Sequence, residues 1–147
     1  MRILSLLLLT IFLGKSCEGQ NKQDLESAVI EYTANSRGFY QKITVQNQMV
    51  TISKDRSGND KVLATKITEQ DWEELVNCFK KIELDSLPKL KAPTEKRFYD
   101  GAAIANFKIM YKDKTYETTS FDHGFPPKEI KKFVYKIYSF AKQNDEN

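Results

Sequence analysis

His123 is the only histidine in the chain, and the residues most able to do chemistry lie next to it. Asp122 precedes it and Ser120 lies just upstream. A hydroxyl, an imidazole and a carboxylate are the parts of a hydrolytic triad. That chemistry needs the imidazole to bridge nucleophile and carboxylate in space. Neighbours on one strand end point in divergent directions, so the three are poorly placed for it. A thiol–imidazole pair with Cys78 would require a helix to meet the His123 loop. Cys78 instead flanks an apolar helical stripe and reads as a small buried hydrophobe. One histidine is too few for a catalytic zinc centre, and the Asp55–Asp60 loop lacks the spaced oxygen ligands of a calcium loop. No metal and no cofactor is expected.

A second pattern uses the same region. Arg37-Gly38, Arg97-Phe98-Tyr99-Asp100-Gly101 and Asp122-His123-Gly124 each place a charged residue near a glycine at a strand end. Should those ends converge, Arg37, Arg97, Asp100, Asp122 and His123 would form a small polar pocket for an anionic ligand. Arginine offers bidentate contacts to carboxylate or phosphate, and loops on a rigid sheet are common binding sites. The plainer reading is that Arg-Gly and Asp-Gly pairs are ordinary turns.

These residues must be positioned by a small set of elements. Val29–Ala34 is rich in β-formers, and Asn35–Gly38 is a turn cluster. Phe39–Val45 alternates, with Phe39, Gln41, Ile43 and Val45 on one face. Gln46-Asn47-Gln48 connects it to a strand over Met49–Lys54. Val62–Lys66 reads as a short strand at a sheet edge. Thr68 to Asp71 fits a helix-capping box, and Ile67 with Trp72 fits a hydrophobic staple. Trp72, Leu75, Val76, Phe79 and Ile82 then make one apolar stripe. Leu84–Asp100 is a longer irregular connection. Ala102–Tyr111 and Thr115–Phe121 read as a strand pair joined at Lys112-Asp113-Lys114. Pro126-Pro127 opens a last helix with Ile130, Phe133, Val134, Ile137 and Ala141 as its stripe. The order β-β-β-(β)-α-β-β-α predicts an α+β fold. It is an antiparallel sheet of five to six strands with two amphipathic helices on one face. The other face is expected to be partly solvated and to carry Tyr40 and Tyr116.

The first residues are an address. Arg2 is followed by an apolar run from Ile3 to Leu13, then Gly14-Lys15-Ser16-Cys17. This is the layout of a secretory signal, and the run is too short to span a bilayer. The end of the leader resembles a bacterial lipoprotein signal, and the chain is similar to small bacterial lipoproteins of unknown function. The resemblance implies cleavage before Cys17 and a lipid on its sulfur. Each buried CH₂ of such an anchor contributes about 0.8 kcal/mol. The alternative is ordinary cleavage after Gly19 and a freely secreted protein. The expected organisation is a signal over 1–16, a mobile tether over 17–27, one domain over 28–141 and a disordered tail over 142–147.

Loss of residues 1–16 removes Arg2 and Lys15, taking the basic count from 23 to 21 against 20 acids. A net charge near +1 argues against nucleic acid as a partner. Lys128, Lys131, Lys132 and Lys136 crowd the last helix and could rest on an anionic membrane, or form a solvated face. The reading is an envelope lipoprotein with a non-catalytic binding domain, a lipid-held membrane contact and an envelope protein partner. The rival is a small secreted hydrolase or ligand-modifying enzyme using Arg97, Asp122 and His123. A purely structural envelope protein is a third class. Convergence of Arg37, Arg97, Asp100 and His123 around a cleft separates the first two.

Overall fold

A computed structural model describes residues 24–145. The expected signal over 1–16, Cys17 and most of the expected tether lie outside the described residues. The elements run β1 (Ala28–Ser36), β2 (Phe39–Gln46), β3 (Met49–Ser53), β4 (Thr65–Lys66), α1 (Glu69–Phe79), β5 (Ile104–Tyr111), β6 (Lys114–Glu117), β7 (Phe121–Asp122) and α2 (Lys131–Asp145). The fold is α+β. Six strands lie in the order β4-β3-β2-β1-β5-β6, and β7 pairs with β5. Every pairing is antiparallel.

Local chemistry explains the connections. Asn47 and Gln48 link β2 to β3 with φ of 51° and 59°, and Lys112 and Asp113 link β5 to β6 with 49° and 61°. Two consecutive left-handed residues match the twist of the flanking strands, so such two-residue turns close hairpins tightly. Thr68 caps α1, its hydroxyl accepting from the Asp71 amide at 3.2 Å.

One sheet face is apolar but for the buried Gln41. Ile30, Tyr32 and Ala34 of β1 sit opposite Val45, Ile43 and Gln41 of β2, and opposite Ile109, Phe107 and Ala105 of β5. Both helices cover this face. Phe79 of α1 packs edge-on against Tyr111, and Phe133 of α2 packs against both Phe79 and Phe107. A large side chain fully buried in this way contributes about 1.5–3 kcal/mol. On the open face, Glu31 bridges Lys42 and Lys108 at 3.1 and 2.6 Å.

Several expected boundaries shift. Thr115–Phe121 is not one strand. Between the pairs Lys108↔Glu117 and Ala105↔Phe121, β5 advances three residues and its partner four. The extra residue is a bulge. Thr118 holds it, its amide donating to the Phe107 carbonyl and its hydroxyl accepting from the Phe107 amide. Tyr116 pairs with Ile109 and packs on the core, so it is not on the solvated face. Only Thr65 and Lys66 of the 62–66 segment pair. The last helix starts at Lys131 rather than at Pro126, and it runs to Asp145, so residues 142–145 are helix rather than tail. Leu25 is buried, so the folded domain begins before residue 28.

Candidate functional site

Strand alternation decides where the polar residues go. Phe121 faces the core opposite Ala105, so Asp122 turns to the opposite side and His123 turns back. The chain from Thr94 to Tyr99 folds over Asp122. Its carboxylate accepts from the Thr94 hydroxyl (2.6 Å), the Lys96 amide (2.7 Å), the Arg97 amide (2.9 Å) and the Arg97 guanidinium (3.1 Å). Arg97 also donates to Ser120 Oγ and to the Thr94 carbonyl. The side chains of Asp122 and Arg97 are 0% and 7% exposed. Burial alone would raise the Asp122 pKa. The Thr94 hydroxyl, the two amides and the guanidinium outweigh it and hold the carboxyl at about 2. The pair is a buried, hydrogen-bonded lock that pins the Lys96–Tyr99 turn to β7.

His123 does not touch this lock. Its Nδ1 lies 2.7 Å from the Tyr32 hydroxyl. The Gly124 amide also donates to that oxygen. Phe39 and Tyr138 pack on the ring, at 5.4 and 5.0 Å between centroids. Burial pushes the His123 pKa below its ordinary value, so the ring is neutral at pH 7. Ser120 is engaged by Arg97 and Asp122 faces away, so no triad forms.

The five expected pocket residues therefore divide. Arg97 and Asp122 are consumed in the lock, and His123 sits in an aromatic box. Arg37 and Asp100 remain together, lining a shallow concavity of about 350 Å³ with Ser36, Gly38, Gly101, Ala102 and Ala103. Cys78 is half-buried and packs at the flank of the core.

Around residues 122–124 the surface is aromatic. Phe39, Phe98, Tyr99, Ile104, Phe125 and Tyr135 are 39–72% exposed. Ile104 pairs with Asp122, and Phe125 bridges to it. Phe39 stacks on His123, and the Tyr135 hydroxyl donates to the Gly124 carbonyl. The lock holds the turn that carries Phe98 and Tyr99. Lys96 lies over the Phe125 ring, Arg97 over Phe98 and Lys131 over Tyr135.

Thr94, Tyr32, Phe39 and Tyr138 were not foreseeable as members of this cluster from spacing alone. Tyr32 carried one signal: a phenol in an apolar strand row needs a partner for its hydroxyl. No family model matches the chain, and a search of curated proteins found no match. Among the described residues no helix is long and apolar enough to cross a membrane, and no group of potential ligands could hold a metal ion.

Proposed function

We propose that the chain is an exported cell-envelope lipoprotein, anchored through Cys17, whose domain binds a polypeptide partner at its aromatic pole. The carrying observation is the gathering of Phe39, Phe98, Tyr99, Ile104, Phe125 and Tyr135 around residues 122–124. Exposed aromatic patches with cations at their rim suit protein partners, where aromatic and arginine side chains dominate binding energy.

Topology supports a polypeptide over the bilayer. The described chain enters at Asp24, whose amide donates to the Tyr111 hydroxyl, and Ala28 pairs with Tyr111. The aromatic residues gather at the other end of β1, where Ser36 pairs with Phe39 and Asn35 with Ile104. Nine residues of strand put roughly 30 Å between the two ends. An anchor at the entry end leaves the aromatic pole facing away from its own membrane. The non-catalytic reading draws support from the lock, because the Asp122 carboxylate is buried and already accepts four hydrogen bonds.

The test uses the protein in its native envelope. A photo-crosslinking residue at position 99 is expected to give one discrete protein adduct. The same residue at position 112, on the opposite pole, is expected to give none. The adduct from position 99 is expected to vanish when Phe98→Ala and Phe125→Ala are combined. Equal adducts at both positions, or an adduct indifferent to the alanines, would remove the docking pole. Intact mass settles the anchor: acyl mass on a chain starting at Cys17 supports it, and an unmodified chain starting at Gln20 ends it.

A further inference from the structure

The concavity between the β1–β2 turn and the Asp100–Ala103 segment has a composition that the aromatic pole does not explain. Its walls are Ser36, Gly38, Gly101, Ala102 and Ala103, all small residues. Its two charged residues are of opposite sign, and neither Arg37 nor Asp100 makes an ion pair or side-chain hydrogen bond among the described residues. Two opposite charges lining one recess without pairing leave a place for a ligand that carries both.

The walls are held rigidly. Arg56 donates to the Ser36 carbonyl at 2.6 Å and also to the Asn35 side chain, fixing the turn before Arg37. On the other wall, the Gly101 amide donates to the Lys96 carbonyl at 2.8 Å, and Asp100 is left-handed with φ of 57°. A side chain at Gly101 would meet Tyr99 at 3.0 Å and Lys96 at 3.1 Å, so the glycine is what lets this wall close. The Lys96–Tyr99 turn behind it is tied to the Asp122 lock. Phe39 and Tyr99, both exposed, adjoin the recess in sequence.

We infer that this recess binds a small zwitterion with an apolar side chain, a free amino acid or a short peptide. Its carboxylate would take the Arg37 guanidinium and its ammonium the Asp100 carboxylate. A simple anion is a poor fit, because Asp100 would face it uncompensated. This differs from the anionic ligand expected from the arginines alone. A free amino acid and a dipeptide share both charges and differ in the span between them, so the two sources can be separated. The inference stands apart from polypeptide docking, and either can fail alone.

The experiment is amide NMR of the full chain titrated with L-leucine and with leucyl-leucine. N-acetyl-leucine and leucine amide serve as the one-charge controls. Saturable shifts are expected at residues 36–39 and 99–103 for one of the two zwitterions. Each control is expected to bind at least tenfold more weakly. Arg37→Gln and Asp100→Asn are each expected to weaken the zwitterion about tenfold, roughly the loss of one charge-assisted contact. Both are exposed positions, and asparagine tolerates the left-handed backbone, so both variants should fold, as retained amide dispersion will show. N-acetyl-leucine binding as tightly as leucine would make the recess an anion site and overturn the proposal. Absence of any saturable shift would overturn it too.

Discussion

Asp122 has four donors and no solvent-exposed surface, and this decides how the molecule responds to its loss. Removing one member of a buried, hydrogen-bonded pair leaves the other charged and unpaired. Asp122→Ala is expected to cost about 3–5 kcal/mol, read as a lower urea midpoint. The pH dependence follows from the same contacts. The carboxyl titrates at about 2 when folded and near 3.9 when unfolded. Its contribution is therefore complete above pH 4 and lost as pH falls towards 2. Acid titration of wild type against the variant should show that difference shrinking across this window. His123 works in a higher range. Its pKa is lowered on folding, so the unfolded chain takes up the proton first. Stability is expected to decline as pH falls below about 6.5. His123→Gln should flatten the profile between pH 7 and 5, and an unchanged slope would place the dependence elsewhere. Gln41 is the opposite case, a buried amide whose Oε1 has no partner on the apolar face. Gln41→Met is expected to raise stability by about 1 kcal/mol, since an unsatisfied buried acceptor is removed.

Elements differ in how much of their geometry local sequence carries. The α1 start was legible because its cap is set by residues within one turn of each other. The β2–β3 and β5–β6 hairpins were legible because alternation on both sides meets at a polar pair. The bulge at Thr118 was not, because nothing in Thr115–Phe121 marks which threonine will surrender its place in the ladder. The choice is made by Phe107, eleven residues upstream, whose amide needs the Thr118 hydroxyl. Thr118→Val keeps the shape and removes that acceptor. It is expected to cost about 1–3 kcal/mol and to speed hydrogen exchange at the Phe107 amide. The same non-locality hid the candidate site. Arg97 and Asp122 looked like two pocket residues, yet their partners Thr94 and Ser120 sit in segments whose spacing announces nothing. Arg37 and Asp100 were legible as charged residues near glycine. That they share one recess, without Arg97, depends on how the Thr94–Tyr99 segment folds over β7.

At the scale of the whole molecule the sheet is a spacer between two unlike poles. Asp24, Tyr111, the Lys112-Asp113 turn and the Asn47-Gln48 turn lie at the entry end. Phe39, Tyr99, Ile104 and the lock lie at the other. Leu25 is 1% exposed and belongs to the core, so the domain is tied down from its first described residues. On a chain anchored at Cys17, only residues 18–23 then separate lipid from fold, a reach from Cys17 to Asp24 of at most about 25 Å when fully extended. That leash is shorter than the roughly 30 Å spanned by β1. The domain can therefore tilt on its anchor but reaches the bilayer most readily with its entry pole. A fluorophore at position 113 of the lipidated protein, in vesicles bearing a headgroup nitroxide, is expected to be strongly quenched. The same fluorophore at position 99 is expected to stay bright. Equal quenching at both sites would mean that the domain lies flat, with the aromatic pole on lipid, and would turn the docking surface from a partner protein towards the membrane itself.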